Sequence, residues 1–149
     1  MSILTDAAIL QLPFWQDPQG DVVLIYSEVE CSVYFPCWSG AGDPADFIGH
    51  LSFEHASTVR SFRREFLPYQ IPIHTGHSYI LHIPDSDLVR EHVAYRKRHY
   101  PNSPARDTRH FVVLGHDIYH EILATEFSAR AVPNQDVTDA RLLRLIAAS

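Results

Sequence analysis

The sequence predicts an α+β fold, read as a single domain over residues 1–149: a mixed or mainly antiparallel sheet with about three helices packed on it. Three observations lead there. Val29, Cys31, Val33 and Phe35 alternate with Glu30, Ser32 and Tyr34, the period of a half-buried strand. Short turn signals join adjacent strand candidates near both ends of the chain. Between them lie stretches with helical spacing and helix-start residues.

In chain order, Thr5 suits the cap of a short helix over residues 6–11, which Pro13 ends. Residues 16–20 read as a turn. Asp21 to Ser27 reads as a strand, with Val22-Val23-Leu24-Ile25-Tyr26 as its apolar run, linked at Ser27-Glu28 to the alternating strand. Ser39 to Pro44 is the clearest loop, and the sequence leaves residues 45–51 open between a helical turn and a strand. Residues 54–66 fit a helix, because Val59, Phe62 and Phe66 recur at spacings of three and four. Pro68 and Pro72 make residues 67–76 a loop.

Ser78 to Ile83 reads as a strand with Tyr79, Leu81 and Ile83 on one face. Pro84-Asp85-Ser86-Asp87 opens a helix that runs to about His99, with acids early and Arg96, Lys97 and Arg98 late, as the helix dipole favours. Leu88, Val89, His92 and Val93 form its expected buried stripe. Residues 109–114 and 118–127 are strands joined at Gly115-His116-Asp117. Residues 128–135 connect to a last helix begun by Asp136 or Thr138, with Leu142, Leu145 and Ile146 as its apolar contact.

Composition narrows the function classes. With 12 Lys and Arg against 18 Asp and Glu, the chain carries a formal charge of −6. That favours a basic protein partner and disfavours general nucleic-acid binding, which depends on neutralising phosphates. Cys31 and Cys37 have neither zinc nor redox spacing and read as buried, reduced thiols. Met1 to Asp6 lacks a basic opening stretch, and no apolar run reaches membrane-span length, so no membrane association and a cytoplasmic setting are expected.

Ten histidines are the most unusual count. His116, Asp117 and His120, with His110 and His82 on neighbouring strand candidates, are candidate ligands for a divalent metal. The order H-x-x-x-H-E differs from the helical H-E-x-x-H of zinc proteases. Whether His110 and His120 meet depends on hairpin register. A three-residue loop puts them on one face, and a two-residue loop pairs His120 with Val113 and turns it away. His74 and His77 form a second, looser pair.

Arg60, Arg63 and Arg64, with Arg96, Lys97 and Arg98, are the basic candidates for nucleic acid. Trp15 and Trp38, each beside a proline and another aromatic in an expected loop, are candidate interface anchors. No nucleophile elbow or phosphate-binding glycine loop is present. The stretch from Ser78 to Phe127, with Asp85-Ser86-Asp87, His110-Phe111 and Glu121-Ile122-Leu123-Ala124, is similar in style to small stand-alone bacterial domains of unknown function; the similarity implies no activity.

The leading expectation is a non-catalytic protein-binding module, immunity- or adaptor-like, with no cofactor and no assigned catalytic residue. A metal-assisted hydrolase on His82, His110, His116, Asp117 and His120 is the first alternative. Nucleic-acid binding through the arginines is the second. Homodimerisation through an exposed sheet edge is compatible with all three.

Overall fold

The computed structural model describes residues 4–40, 42–72 and 79–146. Among the described residues there are twelve strands: β1 (Thr5–Asp6), β2 (Ala8–Leu10), β3 (Trp15–Gln16), β4 (Val23–Tyr26), β5 (Cys31–Gly40), β6 (Asp43–Glu54), β7 (Thr58–Arg63), β8 (Tyr69–Gln70), β9 (Ile80–His82), β10 (Arg109–Leu114), β11 (Ile118–Ala124) and β12 (Glu126–Pro133). Helix α1 (Asp87–His99) is the single α-helix among the described residues. Three short 3-10 segments, Arg64–Phe66, Asn134–Asp136 and Ala140–Leu145, complete the order.

This corrects the α+β expectation. Strands take 48% of the described residues and helical segments 18%, so the architecture is mainly β, with three sheets in place of one sheet under about three helices. Each misread segment has a physical reason. Residues 58–63 do not form a helix, because β7 is claimed by the free edge of β11, where Val59 pairs with Ile122 and Arg60 with Glu121. Ladder hydrogen bonds along an apolar strand override a local helical spacing. Residues 6–11 are strands β1 and β2 for the same reason, recruited by β8 and β9. Residues 45–51 lie within the long strand β6, and residues 128–133 form β12 along its edge rather than a connector. The last segment stays a 3-10 turn, its cap Asp139 accepting from the Arg141 amide.

One five-stranded sheet runs β2-β9-β10-β11-β7, and the other runs β12-β6-β5-β3 with β4 also on β5. The chain passes between these two sheets three times, from β2 to β3, from β6 to β7 and from β11 to β12. The corner is closed by amide bonds from Ser57 to Leu123 and from Thr125 to Glu54. Strands that switch sheets through such bends make the corners of a packed β-sandwich. His55 takes the corner with φ of 52°, a left-handed backbone unusual outside glycine.

Alternation along the strands builds the core. Cys31, Val33, Phe35 and Cys37 of β5 turn inward, with Leu51 and Phe53, against Ile80, Phe111, Val113 and Ile122 of the other sheet. Both cysteines are free and buried, and burial pushes their thiols up to about 11 and about 12. Val29, expected in that alternation, instead sits in the β4–β5 turn and is exposed. The outer face of the first sheet, with Leu81, Val112, Leu114 and Tyr119, is covered by Ala7 and Tyr69. Ile25 and Ile48 on the outer face of the second meet Leu142 and Leu145.

Helix α1 begins where the sequence places it, with Ser86 accepting from the Val89 amide as N-cap. Its expected stripe is not buried: none of its residues is, and Val93 is exposed. The helix lies against the β-body rather than within it.

Candidate functional site

Two features stand out above the sandwich: a buried polar chain beneath the start of α1, and a basic groove at its end.

The polar chain follows from strand register. β10 and β11 pair Leu114 with Tyr119, Val113 with His120 and Val112 with Glu121. The hairpin closes through the bond from the Gly115 amide to Ile118, leaving His116 and Asp117 as a two-residue turn. That is the register in which His120 faces away from His110. Glu121 and His110 instead share a face as diagonal neighbours, and both are almost wholly buried. Arg60 on β7 stands directly across from Glu121 and donates to it through Nε. Tyr69 of β8 donates its hydroxyl to the same carboxylate.

His110 completes the chain. Its Nε2 lies 3.3 Å from Glu121 Oε1 and its Nδ1 lies 2.7 Å from Ser86 Oγ. One proton arrangement satisfies every partner: Ser86 donates to Nδ1, and the ring donates from Nε2 to the carboxylate. The imidazole is then neutral, and burial, reinforced by Arg60 and His82, holds its pKa down to about 4. Burial raises the Glu121 carboxyl above its usual range, while Arg60 draws it back. A cavity of about 510 Å³ opens onto Ser86 and His110, walled by Ile83, Pro84, Val89 and Arg109.

The remaining candidate ligands are dispersed. His82 is half-buried on the cavity wall, its ring 6.1 Å from Phe111. His116 and Asp117 are exposed at the hairpin tip, 3.3 Å apart. His120, on the inner face, accepts from Ser61 at 2.6 Å and donates to the Val22 carbonyl at 3.1 Å. Among the described residues, no three His, Cys, Asp or Glu side chains converge where a metal could sit. His74 and His77 lie outside the described residues.

The arginine cluster of residues 60–64 is also divided. Arg60 is committed to Glu121, Arg64 donates to the Gly115 carbonyl, and alternation along β7 turns Arg63 to the opposite face from Arg60. Trp15 and Trp38 face each other across β3 and β5, half-buried, with ring centroids 5.5 Å apart, and belong to strands rather than loops.

The basic groove lies between the last turns of α1 and residues 100–108. Val93, Tyr100, Pro101, Pro104 and Ala105 supply its apolar surface, and Arg96, Lys97 and Arg106 rim a cavity of about 210 Å³. Among the described residues, neither these three cations nor Arg98 forms an ion pair. Residues 88–109 hold six of the 12 basic residues (Arg90, Arg96, Lys97, Arg98, Arg106, Arg109) but only Glu91 and Asp107 of the 18 acids. The acidic excess therefore lies elsewhere on the chain.

Ser86 and Tyr69 were not candidates from sequence. The readable signal was Glu121, a carboxylate in the otherwise apolar run of β11, which demanded buried partners. Comparison with protein-family models, curated proteins and solved structures finds no match to this chain. No helix among the described residues is long and apolar enough to cross a membrane.

Proposed function

We propose that the chain is a protein-binding module whose recognition surface is the groove between α1 and residues 100–108, and that its partner presents an acidic segment with apolar side chains. The observation that carries this reading is the groove's composition: unpaired cations around exposed Val93, Tyr100 and Pro101, on a helix that buries none of its own residues. A helix whose residues are all left out of the core is supported chiefly by its caps and ion pairs, here Ser86 below and Arg90 to Asp85 and Asp87 at its start. Its exposed apolar residues are then available to a partner. The last-turn cations partly complement the helix dipole, but Arg106 lies beyond the helix and adds charge that the dipole does not require.

The partner's sign follows from this local charge rather than from the total of −6. A polyanion such as nucleic acid would meet the acidic remainder of the chain, and an apolar groove floor offers phosphates nothing. A cytoplasmic setting belongs to the same reading, in keeping with two free buried thiols.

The test is fluorescence anisotropy with a labelled peptide alternating Glu with Leu and Phe, run beside a single-stranded oligonucleotide. The proposal predicts saturable peptide binding that weakens at least tenfold between about 50 and 300 mM salt. It also predicts loss of binding in the Arg96→Glu/Arg106→Glu double variant. No peptide binding at millimolar concentration, or oligonucleotide binding without peptide binding, overturns it.

A further inference from the structure

The cavity at the start of α1 adjoins the groove at Thr108, and its floor carries a hydrogen-bond chain of specific polarity. We propose that Ser86 is a nucleophile, that His110 is its general base and that Glu121 is the residue that positions His110, together forming an esterase-like site for short, uncharged esters.

The geometry supports each role. Ser86 Oγ is 2.7 Å from His110 Nδ1, within proton-transfer reach, and both residues line the cavity. His110 Nε2 is 3.3 Å from Glu121, so the far nitrogen keeps its proton and Nδ1 presents its lone pair to the serine. Glu121 is itself fixed by Arg60 and Tyr69 from two other strands. Serine stands between strand β9 and helix α1, a position that brings a hydroxyl to the surface end of a sheet. The cavity suits an uncharged substrate because its cations are already matched: Arg90 to Asp85 and Asp87, Arg109 to Asp107. Ile83, Pro84 and Val89 supply apolar wall.

The reaction balances without a cofactor. Ser86 Oγ attacks the acyl carbon as its proton passes to His110 Nδ1. The bond to the alkoxy group breaks, and that group leaves with the proton from Nδ1. Water then attacks the acyl-serine, giving its proton to Nδ1, and Ser86 leaves and recovers it. The products are a carboxylic acid and an alcohol.

A fluorophosphonate probe reports this chemistry directly: a bond forms from Oγ to phosphorus as fluoride leaves. Intact mass and peptide mapping should show one adduct per chain at Ser86, absent in Ser86→Gly, which retains most helix-capping ability. His110→Gln should slow labelling at least a hundredfold. Because His110 stays neutral to about pH 4, the labelling rate should hold level from pH 8 to about 5 and fall below that. Folded wild-type protein that takes no adduct, takes it at another residue, or labels as fast in His110→Gln overturns the assignment. A structural serine capping α1 would give that null result, and the groove proposal would be untouched by it.

Discussion

Gly49 shows how closely the core specifies single residues. It pairs across the ladder with Phe35, and a Cβ built there would lie 2.4 Å from the Phe35 ring and 2.9 Å from Phe14. The ring occupies the space a side chain would need, so Gly49→Ala should destabilise by about 1–3 kcal/mol, measured by denaturant unfolding. An unchanged midpoint would show that the ring moves aside freely. Arg60 is the second such residue. Removing it leaves the Glu121 carboxylate buried among apolar strands, so Arg60→Ala should cost on the order of 2 kcal/mol at pH 7.5, tempered by the partial exposure of Arg60. The difference from wild type should shrink as pH falls, because burial raises the Glu121 carboxyl and a protonated Glu121 no longer needs a counter-charge. A difference independent of pH would mean that Arg60 acts by packing alone.

At the scale of elements, legibility tracked whether an element was determined locally. Helix α1 was readable because its cap, its early acids and its late cations are local. The β9, β10 and β11 strands were readable from alternation and from the Gly115-His116-Asp117 turn. β7 and β12 were not, because their strand state depends on partners distant in sequence: β11 for the one, β6 for the other. The same holds within the site. His110 was visible as chemistry, but its partners Ser86 and Tyr69 depend on register and on the covering strand β8, neither of which a single sequence fixes. Because α1 buries no residue, its amides should exchange with solvent much faster than those of β10 and β11, whose faces are both covered. Equal protection in native-state hydrogen exchange would contradict the peripheral placement of the helix.

Across the whole molecule, burial sets the response to acid. His50, His82, His92, His110 and His120 all have their pKa lowered, with burial as the largest cause. Their neutral forms are favoured in the folded state, so the unfolded chain binds more protons between about pH 6.5 and the folded values. Stability from these groups is complete above pH 6.5 and is lost as pH falls below it. His110 alone, with a folded value of about 4, accounts for about 3 kcal/mol across that range. Glu121 works in the opposite direction, since its raised pKa favours the folded state in acid, but it is one group against five. The unfolding free energy should therefore be at least about 2 kcal/mol lower at pH 5 than at pH 7.5, by urea titration. Equal values would place these histidines in contact with water.

Charge is distributed as unevenly as burial, and the function proposed here rests on that unevenness. The most direct test is a two-dimensional amide NMR titration of the isotope-labelled chain with the Glu-, Leu- and Phe-containing peptide. Our account predicts shifts confined to residues 93–108, with the β5 and β6 amides unmoved. Shifts centred on the β12 edge or the Trp15–Trp38 pair, or none at all, would contradict it.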